Sequence, residues 1–242
     1  ILPQKILLKD YNYRTPSLEI TGQSLVDPDG VGEVYLYGDH IRTPEEASRL
    51  ALVRAQEYIC RGGVYHGESG APYIRPGFLF KIEDHGQPAF NRQYLTVSME
   101  HVGSQSAYLI DGLKQGWDQQ GQREILYGNS FLAIPADQQF RPERKTEKSR
   151  FFGTMNAVID ASGSGRNAEL DDQGRYKVQV PFDLSGSGGG KASAWLRMMQ
   201  PYAGSDHGMH FPLHKSAEVL LIFVDGDPDR PIIAAAVPNP LT

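Results

Sequence analysis

The sequence contains a single cysteine, Cys60, so the chain cannot form an internal disulfide. Nothing in it therefore requires an oxidising compartment. No apolar run approaches the length of a membrane-spanning helix, because the longest runs are only as long as a strand. Residues 1–10 lack the apolar stretch of a signal peptide, and the chain begins with Ile1 rather than Met. We therefore expect a piece of a longer protein, without a signal peptide.

Positive charge is also scarce. The chain has 24 Lys and Arg residues against 29 Asp and Glu residues, and its formal net charge is -5 at pH 7. Because phosphate groups are bound by a basic face, this balance argues against nucleic acid or an anionic membrane as the main partner. Two catalytic motifs are missing as well, the zinc-protease pattern HExxH and the serine-hydrolase pattern GxSxG. The residues thus give no positive sign of an enzyme, a cofactor or a small-molecule substrate.

Glycine and proline are frequent, with 26 and 16 residues, which favours many short strands over long helices. Residues 43–63 are the segment with a clear helical pattern. Thr43 is suited to cap this helix, Pro44 suits its first turn, and Glu46 completes a capping box with Thr43. Cys60 lies in the last turn, where we expect a buried, structural thiol. The predicted apolar face consists of Ala47, Leu50, Ala51, Ala55, Tyr58 and Ile59.

Most of the remaining sequence is typical of strands. Residues 137–150 interrupt this pattern, because they are polar and charged without an apolar period. Within them we assign residues 141–150 to a linker, which divides the chain into a first domain, residues 1–140, and a second, residues 151–242. In the first domain the predicted strands lie within residues 17–25, 33–38, 77–84 and 92–103.

The second domain offers five strand candidates and no convincing helix, which predicts a small barrel of the OB type. Residues 219–224 are apolar at every position, so the outer face of that strand is predicted to be covered as well. We predict that a neighbouring subunit covers it together with the strand at residues 232–237. The predicted strands lie within residues 151–160, 174–183, 193–202, 218–226 and 231–238. The predicted interface residues are Val219, Leu221, Phe223, Ile232, Ile233 and Ala235.

Three of the seven histidines, His207, His210 and His214, fall within one short stretch, which raises the question of a zinc site. Gly208 and Pro212 interrupt any helix that would bring the three rings together. We therefore predict no metal site, and histidines that pack or form hydrogen bonds at the surface. A metal-dependent hydrolase that uses these residues is the alternative from another functional class.

Two further stretches resemble ligand-binding loops. Residues 185–193, SGSGGGKAS, imitate a phosphate-binding loop, but Ser185 and Ala192 stand where that pattern needs Gly and Ser or Thr. Residues 225–230, DGDPDR, imitate the start of a calcium loop, but Arg230 stands where that loop needs Gly. We predict a flexible hairpin loop for the first stretch and a tight acidic turn for the second.

A nucleic-acid face on the barrel is a third alternative. Tyr176, Lys177, Trp195 and Arg197 mix aromatic and basic groups, as oligonucleotide-binding OB domains do. The acidic net charge and the few basic residues in this half argue against that use. We predict core aromatic residues with flanking surface charges, and no nucleic-acid partner.

Three blocks of the second domain together resemble the VgrG family of type VI secretion spike proteins. The blocks are GRYKVQV at residues 174–180, WLRMMQPYAG at residues 195–204, and EVLLIFVDGDPDRPII at residues 218–233. Their order and spacing carry the resemblance. In the first domain, the predicted helix and the segments YNYRTPSLEI, PGFLFKIEDH and YLTVSMEHVG are similar to the hub region of the same family.

This resemblance implies a mainly β chain, in which a hub-like β-barrel region with one helix precedes a five-stranded OB-fold barrel. It implies a fragment, without the family's first hub domain and its C-terminal β-helix. The function implied is structural and non-enzymatic: a homotrimeric puncturing spike that helps to deliver effectors, without a cofactor. The implied partners are the tube protein, the baseplate, a tip protein and effectors. Assembly in the bacterial cytoplasm and then secretion or transfer into target cells are expected, and a phage-like baseplate spike is the alternative.

Overall fold

The computed structural model describes residues 1–103 and 127–240, and the chain divides into two compact units. The first unit is Ile1–Arg144 and the second is Lys145–Thr242. The two are described separately. Within the described ranges, no helix combines the length and the hydrophobicity that a membrane crossing requires.

The first unit begins with a three-stranded sheet covered by a helix. Strand β1 (Lys5–Asp10) is central, antiparallel to β2 (Ile20–Leu25) and parallel to β3 (Glu33–Tyr37). Helix α1 (Pro44–Gly62) packs on one face of this sheet, which carries the side chains of Ile6 and Leu8 from β1. The sequence pattern did not indicate β1, although it is the middle strand of this sheet. The core between sheet and helix includes Ile6, Leu8, Ile20, Ala47, Ala51 and Ala55, all fully buried.

Helix α1 confirms the helix predicted from the sequence. The hydroxyl of Thr43 accepts a hydrogen bond from the Glu46 amide at 3.2 Å, as a capping residue does. In a capping box the Glu46 carboxylate would accept a hydrogen bond from the Thr43 amide. Here it accepts instead from the amide of the preceding residue, Arg42, at 2.9 Å. Cys60 is buried, and its thiol contacts the carbonyl oxygen of Arg141 at 3.4 Å.

Residues 141–144, which the sequence analysis assigned to a linker, lie along α1 in this unit. The Arg141 guanidinium donates to the side-chain oxygen of Gln56 at 2.9 Å. Glu143 forms an ion pair with Arg61 at 2.8 Å. These contacts attach the end of the first unit to the outer side of its helix.

A four-stranded antiparallel sheet completes the first unit. Its strands are β4 (Tyr65–Ser69), β5 (Leu79–Lys81), β6 (Gln93–Gly103) and β7 (Tyr127–Pro135), in the order β4-β7-β6-β5. Aromatic rings of this sheet and of the segment before β6 pack edge to face or stacked around Tyr94, which is buried. The rings in contact are Tyr65, Phe80, Phe90, Tyr94 and Phe131.

The second unit is built on a four-stranded antiparallel sheet in the order β11-β10-β8-β9. Its strands are β8 (Met155–Asp160), β9 (Lys177–Gln179), β10 (Glu218–Phe223) and β11 (Pro231–Ala236). The third predicted strand, residues 193–202, forms only isolated bridges, one to Tyr176 just before β9 and one to Ile233 in β11.

Those bridges close the sheet into a barrel. Leu196 and Tyr176, the residue before β9, exchange two backbone hydrogen bonds of 2.9 and 2.7 Å. Directly afterwards, the Arg197 carbonyl accepts from the Ile233 amide at 2.9 Å, and the Met199 amide donates to the Ile233 carbonyl at 2.8 Å. Residues 196–199 therefore connect the β9 edge of the sheet to its β11 edge. This closing segment takes the place of the fifth strand.

We expect Gly22→Ala to lower the free energy of unfolding by about 1–3 kcal/mol, because overpacking forces the backbone to shift. A Cβ atom at residue 22 would collide with the backbone of Ala47 in α1. Gly63→Ala is the matched control, since a Cβ atom there would meet nothing within 4 Å. Urea unfolding measures both variants. Equal stabilities for the two variants would contradict this account of the packing between helix and sheet.

Candidate functional site

A hairpin that projects from the barrel is the candidate interaction site. It follows the closing segment directly and is called the arm, residues 201–212, all of which are exposed. Its two sides are held together by a hydrogen bond from the Met209 amide to the Tyr202 carbonyl at 2.9 Å. A second bond runs from the Gly204 amide to the His207 carbonyl at 2.8 Å. The His207 ring packs closely against Gly204, so a Cβ atom at residue 204 would force this ring to move.

The arm exposes large apolar side chains. Tyr202, Met209 and Phe211 are 56%, 52% and 57% exposed, and Met199 at its base is 52% exposed. Single exposed apolar residues are normal on protein surfaces, but three on one hairpin, with a fourth at its base, indicate a contact surface. The sequence analysis did not identify this arm. Its only local signal is the pair of prolines, Pro201 and Pro212, that bound it.

The three clustered histidines make separate contacts on and beside the arm. The Nδ1 atom of His207 lies 3.1 Å from a carboxylate oxygen of Asp206. The Nδ1 atom of His210 lies 3.4 Å from the side-chain nitrogen of Gln200. His214 is part of an isolated backbone bridge with Asn167. Across residues 1–103 and 127–240, the three rings do not converge as a set of metal ligands.

Asp206, beside His207, has a pKa below its ordinary value. The hydrogen bond from the His207 side chain is the main cause, and the hydroxyl of Ser205 adds to it. The ring of His207 also lies against Tyr202, with their centroids 4.9 Å apart. His207 thus helps to shape the arm's tip.

The glycine-rich loop at residues 185–193 surrounds a carboxylate of the chain itself. Asp160, at the end of β8, accepts hydrogen bonds from the amides of Gly190 at 2.9 Å and Ala192 at 3.0 Å. Burial raises the pKa of Asp160, but the amide donors of the loop outweigh it, so the pKa lies below its ordinary value. Lys177 donates to the Gly190 carbonyl at 2.6 Å and fixes the loop from the other side. The backbone amides of this loop, which could bind a phosphate group, therefore donate their hydrogen bonds to Asp160 instead.

The acidic turn between β10 and β11 binds the start of the second unit. Asp227 is 1% exposed, and the Lys148 ammonium lies 2.6 Å from its carboxylate. The Asp229 amide donates to the other carboxylate oxygen at 3.0 Å. Gly226 has a positive φ of 68°, and its carbonyl accepts from the Phe151 amide at 2.7 Å. The DGDPDR turn thus binds residues 148–151 through Asp227 and Gly226. The sequence analysis did not predict this contact.

The four residues weighed as a nucleic-acid face do not share one open surface. Tyr176 is fully buried, and its hydroxyl accepts from the Leu213 amide at 3.0 Å. The Lys177 ammonium lies over the Trp195 ring, 4.7 Å from its centroid. Tyr176 is therefore not accessible for stacking on a base, and Lys177 covers one face of Trp195. Arg197 lies in the closing segment.

The six predicted interface residues divide between the two faces of the barrel wall. Val219, Leu221 and Ile233 are buried in the barrel core, and Phe223 packs partly against it. Ile232 is half-buried and Ala235 is exposed, and they lie opposite Ile222 and Leu220 in the ladder of β10 and β11. Because Val219, Leu221 and Ile233 are buried in the core, their side chains do not reach another subunit directly. The assignment of all six to an interface stays a prediction.

Both parts of the chain are similar to proteins of phage tails and type VI secretion systems. Residues 1–107 match the family described as phage tail baseplate hub (GPD). Residues 166–237 match the family described as type VI secretion system/phage-baseplate injector OB domain. Over 95% of its length, the chain is 33% identical to the actin cross-linking toxin VgrG1 of Vibrio cholerae. It is 31% identical to the spike protein VgrG3 of Vibrio cholerae over 93% of its length, and 27% identical to VgrG4b of Pseudomonas aeruginosa over 95%.

The chain is homologous to the VgrG spike proteins. It spans 20%, 22% and 29% of the lengths of these three relatives. The VgrG resemblance stated from the sequence is thereby confirmed, and the homologues support a role in a type VI secretion or phage-baseplate spike. The homologues named as spike proteins are structural components.

Two solved structures share the fold. The Escherichia coli c3393 protein is a type VI secretion component described as similar to the T4 bacteriophage tail proteins gp27 and gp5. The alignment covers 80% of this chain and 43% of the c3393 chain, with a TM-score of 0.54 and 22% sequence identity. The alignment with a chain of a Francisella PdpA-VgrG complex covers 97% of this chain and 40% of that one, with a TM-score of 0.50 and 9% sequence identity. The predicted fold class, mainly β with one helix and an OB-type domain, is confirmed.

We expect Asp160→Asn to lower the free energy of unfolding by about 1–3 kcal/mol at pH 7, because buried amide donors lose a charged acceptor. The folded-state pKa of Asp160 is lowered, so its contribution is present above the pKa of the unfolded chain, about 3.9. It is lost as the pH falls through the lower folded-state pKa, and the difference between wild type and variant should then shrink. Urea unfolding as a function of pH measures this. Asp172→Asn, at an exposed loop residue, is the control, and an equal loss there would contradict the role of Asp160.

We expect no stoichiometric zinc to stay with the purified chain after incubation with zinc and dialysis, because the three histidines do not form a ligand group within residues 1–103 and 127–240. Elemental analysis of the wild type and of the His207→Ala, His210→Ala, His214→Ala triple variant measures this. One zinc per wild-type chain that is missing from the triple variant would support the metal-dependent alternative instead.

Proposed function

We propose that this chain is a structural segment of the puncturing spike of a contractile injection machine, that it assembles as a homotrimer, and that it helps to deliver effectors without catalysing a reaction. The observation that carries this proposal is the order of the two family matches, a baseplate hub followed by an injector OB domain in one chain. The tube protein, the baseplate, a tip protein and effectors are its partners through the full-length protein.

The closed barrel suits a part that transmits force. Backbone hydrogen bonds join every neighbouring pair of strands around the wall, including the two junctions made by residues 196–199. A load along such a wall is shared among many bonds, and closure covers both sheet edges at Tyr176 and at Ile233. Three identical chains in a ring use two different surfaces of each copy, because contacts around a three-fold axis are heterologous.

Catalysis is not part of this proposal. One relative is named an actin cross-linking toxin, but this chain matches only 20% of that protein. The polar groups that imitate ligand loops are used within the fold, since Asp160 fills the glycine-rich loop and Lys148 pairs with Asp227. We therefore assign the chain to the body of the spike.

A phage-like baseplate spike is the second candidate, because the family matching residues 166–237 is described by both systems. The genes beside this one distinguish the two: tube and sheath genes without capsid genes favour type VI secretion. In that case assembly in the cytoplasm precedes export with the machine.

We expect sedimentation equilibrium to show reversible formation of trimers as the concentration of the chain rises. In the bacterium that carries the gene, we expect the tagged full-length protein in the culture medium of cells with a working sheath, and its loss when the sheath gene is deleted. A cytoplasmic protein without any export signal serves as the lysis control. A monomer at every concentration, together with sheath-independent appearance in the medium, would refute the proposal.

A further inference from the structure

The polar segment that leads from the first unit into the second is bound at both of its ends. We call residues 141–151 the connector. Its first anchor, residues 141–144, is bound to helix α1, and its second anchor, residues 148–151, is bound to the turn between β10 and β11. Between the anchors, residues 145–147 form no hydrogen bond or ion pair with any residue that the structure describes.

The first anchor covers the thiol of Cys60. The carbonyl oxygen of Arg141 lies 3.4 Å from the Cys60 sulfur, and Cys60 is 2% exposed. The ion pair between Glu143 and Arg61 at 2.8 Å holds the rest of this anchor, although the two side chains are 50% and 37% exposed. An ion pair that is so exposed is weak, because water competes for both partners. These contacts are polar and do not belong to the apolar core between α1 and its sheet.

The second anchor combines an ion pair with one backbone hydrogen bond. The Lys148 ammonium lies 2.6 Å from the buried carboxylate of Asp227, while the Lys148 side chain itself is 41% exposed. The Phe151 amide donates to the Gly226 carbonyl at 2.7 Å. Water therefore reaches the cation of this pair, and the anchor depends on few bonds in comparison with the barrel core.

We propose that the connector is a reserve of length. Its two anchors open separately, and each opens more readily than the apolar core of its own unit. Local opening is easiest where few apolar contacts are buried and backbone groups are accessible to water, as they are along the connector. This inference goes beyond the proposed function, and it holds for a monomer as well as for a trimer.

Release of the anchors increases the reach of the connector. An extended chain spans at most about 3.5 Å per residue, so the part between Arg144 and Lys148 reaches about 14 Å and the whole connector about 40 Å. The anchors thus hold back more than half of the available length. A chain under load lengthens at the connector before it unfolds a core.

Hydrogen exchange of the Phe151 amide measures the second anchor. In the wild type it should exchange at least about tenfold faster than the Ile159 amide, which is bound to the Ala217 carbonyl at 2.9 Å within the barrel. Lys148→Gln should raise the exchange rate at Phe151 about fivefold or more and leave the rate at Ile159 unchanged. Lys145→Gln is the matched control, because Lys145 lies between the anchors, and it should change neither rate.

Alkylation of the single cysteine measures the first anchor. The double variant Arg141→Gln, Glu143→Gln should raise the rate at which iodoacetamide modifies Cys60 about fivefold or more, because the segment that covers the thiol opens more often. The melting temperature should stay that of the wild type. Glu147→Gln, an acid between the anchors, is the matched control and should leave the alkylation rate unchanged.

Each reporter should respond only to its own anchor. Lys148→Gln should leave the alkylation of Cys60 unchanged, and the double variant should leave the exchange of Phe151 unchanged. Acceleration of both reporters by one variant would overturn separate opening. An unchanged reporter in its own variant would show that these contacts do not hold the connector. Equal acceleration at Phe151 and Ile159, or alkylation that rises only with a lower melting temperature, would show that a core opens with its anchor. Each of these results overturns the proposal and leaves the sedimentation and export tests of the spike function untouched.

Discussion

Closure of the barrel by residues 196–199 is the constraint on which the second unit depends. Four backbone hydrogen bonds join this segment to Tyr176 on one side and to Ile233 on the other. Without them β9 and β11 would be open edges, and Tyr176, Leu196 and Ile233 would lose the wall that buries them. Closure also fixes one end of each of the two loops beside it, the C-terminal end of the glycine-rich loop and the start of the arm at Pro201.

Alternating apolar residues made the fold class and most strands predictable from the sequence. The closing segment was predicted as a strand, but it changes its pairing partner within four residues and so forms bridges instead. Strand β1 was not predicted because its apolar residues Ile6, Leu7 and Leu8 are consecutive and show no alternation with polar residues. The unbroken apolar run at residues 219–224 concealed which side faces inward, because a period of two is visible only when one face is polar. Burial in three dimensions separates Val219 and Leu221 from Leu220 and Ile222.

The polar contacts of the second unit were the least predictable part. Sequence shows that residues 185–193 offer many amide donors, but it does not show that Asp160, far away along the chain, will occupy them. Lys148 and Asp227 are likewise separated by most of the domain before they meet at 2.6 Å. Each acid offsets its loss of hydration only because the fold brings donors to it, and that arrangement is a property of the barrel as a whole. The same holds for the arm, since exposure of Tyr202 and Phe211 follows from where the barrel closes.

The barrel core of the second unit consists of side chains from one copy, with Tyr176, Val219 and Ile233 fully buried inside it. No contact with a second chain is therefore needed to bury these residues. The apolar side chains that the barrel leaves uncovered lie instead on the arm, where Tyr202, Met209 and Phe211 are exposed. Single exposed apolar residues are normal on a protein surface, whereas several on one hairpin favour a contact with another protein. The core, which alternating apolar residues predict, and the contact surface, which they do not predict, are thus separate parts of the second unit.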